Sequence, residues 1–416
     1  MANPNINYPE LAQQITLWSQ ELGFSQIGFT DVDLADHENA LEQWLANGYH
    51  GNMDYMKRHG LMRARPAELV PGTLTAISVR LDYMPSEAKC ARILKTKDHA
   101  YISRYALGRD YHKLMRKRLQ QLGKKISAYF DTLQTDTFNF RPFVDSAPIL
   151  ERPLAEKAGL GWVGKHSLLL NKKAGSWFFI GELLIDIPLA MQLSASKSVE
   201  QPSFNPHSDS KDEKGCGTCV ACIKICPTNA IVEPYVVDAR RCISYFTIES
   251  PDPIPLELRP LMGNRIYGCD DCQLICPWNK YSKLSLEEDF QPRLGLDKVS
   301  LLTLFAWDEQ YFDNALQGSP IRRIGFDSWQ RNIAVALGNA PYQEAIVNAL
   351  RQKLASSSEL VCEHIEWAIL QQLNKKEVIE VVAPNTRNAS DKSAQNNERL
   401  TARLIRSIEK GLPRDA

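Results

Sequence analysis

The stretch CGTCVACIKICP at residues 216–227, followed by CDDCQLICP at residues 269–277, decides how the middle of the chain folds. The first stretch has the spacing Cys-x2-Cys-x2-Cys-x3-Cys-Pro, in which three thiolates bind one 4Fe–4S cluster and the fourth reaches a second cluster. A zinc ribbon, the rival metal site, needs only two Cys-x2-Cys pairs around one ion and leaves the further cysteines unexplained. The spacing therefore predicts a domain with two 4Fe–4S clusters at residues 215–290.

Eight of the ten cysteines belong to this set, while Cys90 and Cys362 stand apart. In such runs the terminal cysteine serves the opposite cluster. The ligands predicted for the first cluster are Cys216, Cys219, Cys222 and Cys276. The ligands predicted for the second cluster are Cys226, Cys242, Cys269 and Cys272. Because Cys242 lies far upstream of Cys269, the loop between them would be pinned at both ends by one cluster, and it could present side chains to an electron acceptor.

Composition limits the location and the partners of the protein. A chain of 416 residues exceeds one ordinary domain, so two or three domains are expected. The net charge is zero, so a polyanionic partner would have to be bound by local basic patches. The N-terminus lacks a signal-peptide pattern, no run of about 18 apolar residues occurs, and the cysteines do not suit a secreted disulfide framework. We therefore expect a cytoplasmic monomer that does not bind membranes.

Alternating helix and strand patterns predict an α+β multidomain fold. The elements predicted near the N-terminus are helices over 8–22 and 37–47 and strands over 26–30 and 74–83. These make residues 1–191 an α/β-type layer domain. Polar composition predicts a linker over 192–214 and a disordered tract over 384–398. Residues 291–416 are predicted to be helical, either as stacked HEAT-type helix pairs or as a simple bundle.

Three further segments carry charged residues that a site could use. Residues 101–125 are predicted to form a strongly basic helix, which is either a solvated face or a contact surface for nucleic acid or an anionic cofactor. Asp145 ends an apolar strand, where it either caps the following turn or belongs to a site built at element ends. A glycine-rich turn at 159–167 carries Lys165 and His166.

Several motifs together resemble the epoxyqueuosine reductase family. They are the eight-cysteine set, RPFVDSAPILER at 141–152, AGLGWVGKHS at 158–167, YGCDDCQLICPW at 267–278 and KGLPRD at 410–415. The resemblance covers nearly the whole chain. It implies an oxidoreductase of tRNA processing that converts epoxyqueuosine to queuosine at the wobble position of tRNA, the last step of queuosine biosynthesis.

The resemblance also implies which cofactors the protein binds and what each domain does. The N-terminal domain would bind cobalamin, the ferredoxin-like domain would carry the two 4Fe–4S clusters, and a HEAT-like C-terminal domain would help to hold the anticodon stem-loop. Electrons would come from an external donor such as a flavodoxin or ferredoxin system and pass through the clusters to cobalt. Cobalt would then act either as a nucleophile or by electron transfer.

By the same resemblance, Asp145 would donate the proton that the opening epoxide needs. An apolar surrounding would have to raise its pKa for the carboxyl to stay protonated near neutral pH. The residues expected to contact cobalamin are Arg65, Tyr105, Asp145, Arg152, Lys165, His166 and Ser244. The residues expected to contact tRNA phosphates are Arg322, Arg323, Arg331, Arg403, Arg406 and Lys410.

Two other readings compete with this one. A cobalamin-dependent reductive dehalogenase also pairs two clusters with a corrinoid, but such enzymes are usually exported and the sequence shows no twin-arginine signal. A non-catalytic electron carrier would need the clusters alone. It would leave the N-terminal half of the chain without a role, so the reductase is the favoured hypothesis.

Overall fold

The computed structural model describes residues 6–86, 90–133, 138–145, 147–196, 215–381 and 392–411. The helices of these ranges are α1 (Tyr8–Glu21), α2 (Glu38–Ala46), α3 (Asp54–Arg58), α4 (Pro66–Leu69), α5 (Cys90–Lys95), α6 (Tyr111–Thr132), α7 (Glu151–Lys157), α8 (Leu189–Ser196), α9 (Ala221–Ile225), α10 (Ile243–Ile248), α11 (Asp271–Leu274), α12 (Leu301–Phe305), α13 (Glu309–Ala315), α14 (Gly325–Asn339), α15 (Glu344–Leu354), α16 (Glu359–Val381) and α17 (Lys392–Gly411). The strands are β1 (Gln26–Thr30), β2 (Thr75–Asp82), β3 (Tyr101–Ile102), β4 (Phe140–Phe143), β5 (Trp162–Val163), β6 (Leu169–Leu170), β7 (Phe178–Ile185), β8 (Ile231–Glu233), β9 (Val236–Val237) and β10 (Arg265–Tyr267). Helices and strands mix throughout, which confirms the mixed α/β character.

The chain divides into two compact units, each built from separate stretches of sequence. The first unit contains Met1–Tyr83, Tyr111–Val220 and Tyr281–Lys283. The second unit contains Met84–Asp110, Ala221–Lys280 and Leu284–Ala416. Among the helices that the structure describes, none is long and apolar enough to cross a membrane.

The first unit is built on a four-stranded antiparallel sheet with the strand order β1-β2-β7-β4. The central strands read TAISVRLD and FFIGELLI, and nearly every residue in them is buried. Both faces of these strands are therefore covered, and the buried polar side chains among them include Ser78 and Glu182, which hydrogen-bond to each other. Helices α6 and α7 pack on this sheet. A Cβ atom at Gly28 in β1 would lie 1.9 Å from the carbonyl oxygen of Ala158, so this glycine lets the glycine-rich turn pass directly against the sheet.

The predicted elements near the N-terminus agree closely with those observed. Helix α1 begins after Asn7, whose side-chain oxygen accepts a hydrogen bond from the backbone N–H of Glu10, and α2, β1 and β2 fall at their predicted places. The helix predicted over 101–125 is wrong at its start. Tyr101 and Ile102 form a strand that pairs in parallel with β10, and the helix begins only at Tyr111. Tertiary pairing with a distant strand overrides the local pattern here.

The second unit holds six of the eight clustered cysteines and the helices of the C-terminal region. Helix α14 is its most buried element, and Trp329, Ile333, Ala336 and Leu337 are all buried, as their spacing predicts. Helix α16 packs against both α14 and α15. A Cβ atom at Gly338 would lie 2.5 Å from the ring of Trp367, so glycine permits the close approach of α14 and α16.

Two polar segments differ from the prediction where the structure describes them. Helix α8 continues to Ser196, so the predicted linker at 192–214 starts inside a helix, and residues 197–214 lie outside the described ranges. Helix α17 starts at Lys392, so the end of the tract predicted to be disordered at 384–398 is helical. Packing within the second unit explains the helix, since α17 lies against α5 and buries Leu404 and Ile408. Residues 384–391 of that tract lie outside the described ranges.

Candidate active site and cysteine cluster region

Asp145 lies just beyond the end of β4 in an unusual backbone conformation. Its φ angle is 52°, in the left-handed region that a residue other than glycine adopts at a cost of order 1–3 kcal/mol. Two contacts support it: the backbone N–H of Asp145 donates to Glu151 Oε1 at 2.5 Å, and His112 Nε2 lies 2.9 Å from Asp145 Oδ2. Asp145 is therefore held through both its backbone and its side chain.

The environment of Asp145 differs from the apolar surrounding that the sequence led us to expect. The Asp145 side chain is 59% exposed, and its partner His112 is 14% exposed. One carboxyl group with a raised pKa at this site is that of Glu151. Burial raises the pKa of Glu151 to about 8, and the nearby Asp145 carboxylate adds to the rise. Glu151 is therefore largely protonated at neutral pH.

Arg152, the neighbour of Glu151 in α7, contacts a second strained turn. Its Nη1 donates a hydrogen bond to the carbonyl oxygen of Ser167, which has a φ angle of 65°. The first two residues of α7 thus contact the two left-handed residues of this region, Glu151 at Asp145 and Arg152 at Ser167. Because α7 packs on the central sheet, both turns are tied to a rigid part of the first unit.

His166 is a buried neutral imidazole with a hydrogen-bond donor to spare. Its Nδ1 accepts a hydrogen bond from the backbone N–H of Leu168 at 3.1 Å, which places the ring proton on Nε2. Burial and the positive charge of Arg152 lower the pKa of His166 to about 4. Nε2 is buried and has no partner among the residues that the structure describes. A buried donor of this kind is costly unless a ligand or water pairs with it.

Lys165 has a structural contact that the sequence did not reveal. Its ammonium group donates to the carbonyl oxygens of Gly217 at 2.7 Å and Cys219 at 2.9 Å. The side chain is buried. Lys165 therefore ties the glycine-rich turn to the first part of the cysteine run, within the first unit.

The other residues expected at the cofactor make contacts of their own. Arg65 pairs with Glu38 at 2.7 Å and with Glu68 at 3.4 Å. Tyr105 and Ser244 belong to the second unit, where the rings of Tyr105 and Tyr267 lie 6.2 Å apart and Ser244 is half-buried in α10. The first unit therefore brings together Asp145, Arg152 and His166 through Glu151 and Ser167.

Five cysteines of the second unit lie in one group. The charges of Cys222, Cys226 and Cys242 act on Cys272, that of Cys226 acts on Cys242, and that of Cys272 acts on Cys269. Burial raises the pKa of Cys269 and of Cys272 well above the usual range, and neighbouring negative groups add to this. Binding to a metal removes such a penalty because the metal neutralises the thiolates. All ten cysteines are free of disulfides.

The group does not have the geometry of a single-ion site. In the described ranges, no three His, Cys, Asp or Glu side chains converge as one metal ion requires. Around a cubane each thiolate binds a different iron, so the four sulfurs stand farther apart than the ligands of one zinc. Soft thiolates grouped in this way are the donor set that iron–sulfur clusters use.

Two aspartates between Cys269 and Cys272 fix this cysteine segment in the second unit. Asp271 forms a bidentate ion pair with the buried Arg265, at 2.9 Å and 2.7 Å. Asp270 accepts from the hydroxyl of Tyr101 at 2.9 Å and from that of Ser103 at 2.6 Å. Sequence reasoning missed this role, although the Asp-Asp pair inside the motif was a visible signal. Buried carboxylates need such partners.

The candidate phosphate-binding arginines divide into exposed and buried ones. Arg331 is fully buried, and its guanidinium donates to the carbonyl oxygens of Phe246, Ser250 and Asp252. The expectation that Arg331 contacts tRNA is therefore wrong, since it anchors the segment after α10. Arg322, Arg323, Arg403 and Arg406 are exposed, although Arg322 and Arg323 pair with acidic neighbours. The side chain of Lys410 lies outside the described ranges.

Comparison with known proteins gives matches over both functional segments and over the full length. Residues 63–146 match the family described as "Epoxyqueuosine reductase QueG, DUF1730", and residues 215–279 match the 4Fe-4S double cluster binding domain. The second range contains all eight clustered cysteines. The iron–sulfur domain predicted from the spacing is thereby confirmed.

Two relatives that match over nearly the whole chain are epoxyqueuosine reductases. The chain is 56% identical to epoxyqueuosine reductase of Escherichia coli K12 over 418 residues, with 100% of both chains covered. It is 54% identical to epoxyqueuosine reductase of Vibrio cholerae over 411 residues, covering 99% of this chain and 100% of the other.

Solved structures give the same result. The fold matches a crystal structure of epoxyqueuosine reductase with an epoxyqueuosine-modified tRNA stem loop, with a TM-score of 0.73, 25% identity and coverage of 96% of this chain and 100% of that one. The chain therefore belongs to the epoxyqueuosine reductase family and is an oxidoreductase.

Proposed function

We propose that this oxidoreductase removes the epoxide oxygen of epoxyqueuosine at the wobble position of tRNA, using cobalamin, two 4Fe–4S clusters and Asp145 as the proton donor. The structural observation that carries the proposal is the accessible Asp145 carboxyl, fixed by His112 and Glu151 beside a buried imidazole with an unpaired donor. The substrate is inferred from membership of the epoxyqueuosine reductase family. A cytoplasmic location, where tRNA is modified, fits this role.

The overall stoichiometry sets what the residues must provide. Removing an epoxide oxygen as water and leaving a carbon–carbon double bond consumes two electrons and two protons. Cobalamin, when bound and reduced, would supply the electrons at the ring carbon. The protein supplies placement, proton transfer and exclusion of water.

Asp145 acts on the oxygen in this scheme. As the carbon–oxygen bond breaks, negative charge develops on the oxygen, and a proton from the Asp145 carboxyl makes it a better leaving group. The exposed carboxyl would take up this proton from solvent once bound substrate and cofactor shield it from water, because a shielded carboxyl favours its neutral form. The bond from that proton to the carboxyl breaks as the new O–H bond forms. A second proton, from solvent, completes the water molecule. His112, 2.9 Å from Asp145 Oδ2, keeps the carboxyl in one orientation.

Three residues of the first unit would hold the cofactor. His166 Nε2 and the exposed Arg152 guanidinium are donors that match the amide and phosphate oxygens of cobalamin, and Asp145 lies beside them. The orphan Nε2 is the observation that fits a bound polar group. Tyr105 and Ser244 in the second unit, together with Arg65 and Lys165, remain further proposed contacts from the family resemblance.

His166→Phe tests the cofactor assignment. Phe keeps a ring of similar size in the buried position and removes both the Nε2 donor and the Nδ1 acceptor of the Leu168 N–H. Losing one hydrogen bond of about 1 kcal/mol should weaken cobalamin binding about fivefold. Visible absorbance titration of the protein with cobalamin measures this constant. His99→Phe, in the second unit, is the matched control, and an unchanged affinity in His166→Phe would remove His166 from the cofactor site.

The clusters are proposed to form the relay to the cofactor. The first would bind Cys216, Cys219, Cys222 and Cys276, and the second Cys226, Cys242, Cys269 and Cys272. The charge interactions among the last four show that they lie near one another, and Cys222 of the first set also acts on Cys272. An external reduced flavodoxin or ferredoxin would load them.

Lys165→Met should disturb the first cluster. Without the ammonium group, the carbonyls of Gly217 and Cys219 lose their partner, and the run that carries two ligands loosens. Anaerobically purified wild-type protein should hold about eight irons per chain, and the variant should hold clearly fewer. Lys173→Met, at an exposed lysine on the next turn, serves as control. Equal iron contents in the two variants would show that the Lys165 contact does not support the cluster.

The domain roles are proposed along the predicted ranges. Residues 1–191 would bind the cofactor, residues 215–290 the clusters, and residues 291–416, as a HEAT-like helical region, the anticodon stem-loop. The tight packing of α16 on α14 and α15 supports a stacked helical region. Exposed Arg322, Arg323, Arg403 and Arg406 are the proposed phosphate contacts. We propose a monomer with no membrane contact.

One experiment tests the proposed activity. Purified protein is incubated anaerobically with cobalamin, a chemical reductant and tRNA that carries epoxyqueuosine, and the nucleosides are measured by mass spectrometry. Conversion to queuosine is expected. A halogenated aromatic substrate in a parallel reaction should remain unchanged. Electron transfer to an acceptor without conversion of the tRNA would favour the non-catalytic carrier.

A further inference from the structure

Two neighbouring residues of helix α7, Glu151 and Arg152, contact two residues with left-handed backbones, Asp145 and Ser167. The backbone of Asp145 is left-handed although the residue is not glycine, and the observed acceptor for its N–H is Glu151 Oε1 at 2.5 Å. Ser167 is left-handed as well, and its carbonyl accepts from Arg152. Such conformations persist only where surrounding contacts impose them.

Of the two contacts, the one to Asp145 bears directly on the reaction. The side chain of Asp145 leaves the backbone at an angle set by φ, so a relaxed backbone would move the carboxyl away from its present position. His112 Nε2, at 2.9 Å from Oδ2, fixes the same side chain from α6. The ring of His112 is itself stacked on Tyr111, with centroids 4.1 Å apart. Helices α6 and α7, which both pack on the sheet, therefore each contribute one contact to Asp145.

We propose that Glu151 is a positioning residue for the reduction, which acts by holding the Asp145 backbone in the left-handed conformation that presents its carboxyl to the substrate. This inference rests on the proposed function, because it assigns Glu151 a role only through Asp145. Glu151 itself touches the backbone of Asp145 and makes no proton transfer. His112 contributes from the side-chain end.

The protonation state of Glu151 explains why a carboxyl can serve here. Burial and the charge of Asp145 favour the neutral acid at neutral pH. A neutral acid accepts the Asp145 N–H through its carbonyl oxygen without adding a second full negative charge beside the proton donor. The charged or titratable groups near Glu151 are Arg152, Arg63, His112, Asp145 and the buried Glu182 of β7. Glutamine has the same shape as this neutral acid and the same acceptor oxygen.

The test compares two substitutions at one position. Glu151→Gln keeps the acceptor and should retain kcat within about threefold of wild type. Glu151→Met keeps the volume but removes the acceptor, and it should lower kcat about tenfold or more, since the left-handed conformation loses its support. The KM for tRNA, the iron content and cobalamin binding should stay the same in both variants. Single-turnover rates with epoxyqueuosine-containing tRNA measure the effect.

Asp186→Ala is the matched control. Asp186 also accepts a backbone N–H, that of Asn139 at 3.1 Å, and this contact lies at the opposite end of the same strand, β4. Its loss should change kcat less than twofold. If Asp186→Ala lowers kcat as much as Glu151→Met, then the effect is general loosening of β4 and the proposal is wrong.

Other outcomes separate the inference from the function on which it rests. If Glu151→Met has the kcat of wild type while Asp145→Asn is inactive, Glu151 is not a positioning residue. The proposed proton donation by Asp145 is unaffected by that outcome. Full activity of Asp145→Asn overturns the proposed proton donor. If Glu151→Met does not fold, His112→Phe carries the test, because it keeps the stacking on Tyr111 and removes the contact to Oδ2. That variant should lower kcat at least threefold, and an unchanged kcat would contradict the proposal.

Discussion

Asp145→Asn is expected to keep both clusters and bound cobalamin and yet to lose turnover by a factor of about 10² to 10⁴, the usual contribution of a general acid. Asparagine tolerates the left-handed conformation that Asp145 adopts at φ 52°, so the backbone should stay in place. It also keeps an oxygen for the contact with His112. What it lacks is a proton that can be transferred at neutral pH. The loss therefore reports on proton donation.

Single-turnover conversion of epoxyqueuosine-containing tRNA, with iron and cobalamin content measured on the same sample, checks this expectation. Asp186→Asn provides a control at another carboxylate of the first unit, and it should behave as wild type. An Asp145→Asn enzyme that converts tRNA at the wild-type rate would remove Asp145 from the mechanism. A variant that has lost its cobalamin would instead make Asp145 a binding residue.

Cys272→Ser is expected to have the second largest effect. Cys272 lies at the centre of the thiol group in the second unit, where Cys222, Cys226 and Cys242 all act on it. A serine hydroxyl is a poor iron ligand, so the second cluster should be lost. Iron should fall from about eight to about four per chain. Turnover driven by a reduced flavodoxin or ferredoxin should fall to the background rate, because the relay is broken.

Cys362→Ser separates this effect from a general sensitivity to cysteine loss. Cys362 is outside the cluster set, and its thiol hydrogen-bonds to backbone carbonyls of Leu354 and Ser357. Its substitution should leave iron content and turnover unchanged. Metal analysis by mass spectrometry and electron paramagnetic resonance of the reduced protein provide the readout. Eight irons in Cys272→Ser would refute its assignment as a ligand.

The sequence predicted the site best where the chemistry imposes a spacing. Thiolates at fixed intervals have few uses, so the iron–sulfur domain followed from the cysteines alone. The role of Asp145 came from the family resemblance and stays a proposal, because its local pattern suits a turn cap equally well. The basic stretch 101–125 was less informative. Its first residues pair with β10, a contact that no local pattern reports. Arg331 was misjudged for the same reason, because its burial depends on carbonyls of a segment far away in the chain.

Glu151 shows what sequence reasoning could not reach. It stood in the quoted motif, but its contact with the backbone of Asp145 depends on the fold of the turn between them. The raised pKa of Glu151 likewise depends on burial and on a neighbouring charge. Both are properties of the packed first unit. The sequence drew attention to the carboxyl of Asp145 alone, whereas the structure shows a raised pKa at Glu151, six residues later.

The proposed cobalamin-dependent reduction is tested most directly by conversion of epoxyqueuosine-containing tRNA with and without cobalamin. The clusters are kept intact, as verified by iron content, and excess chemical reductant is supplied anaerobically. If the reduction depends on cobalamin, we expect stoichiometric formation of queuosine when cobalamin is present and none when it is omitted. Equal conversion in both reactions, or no conversion by cluster-loaded protein with cobalamin bound, would contradict it.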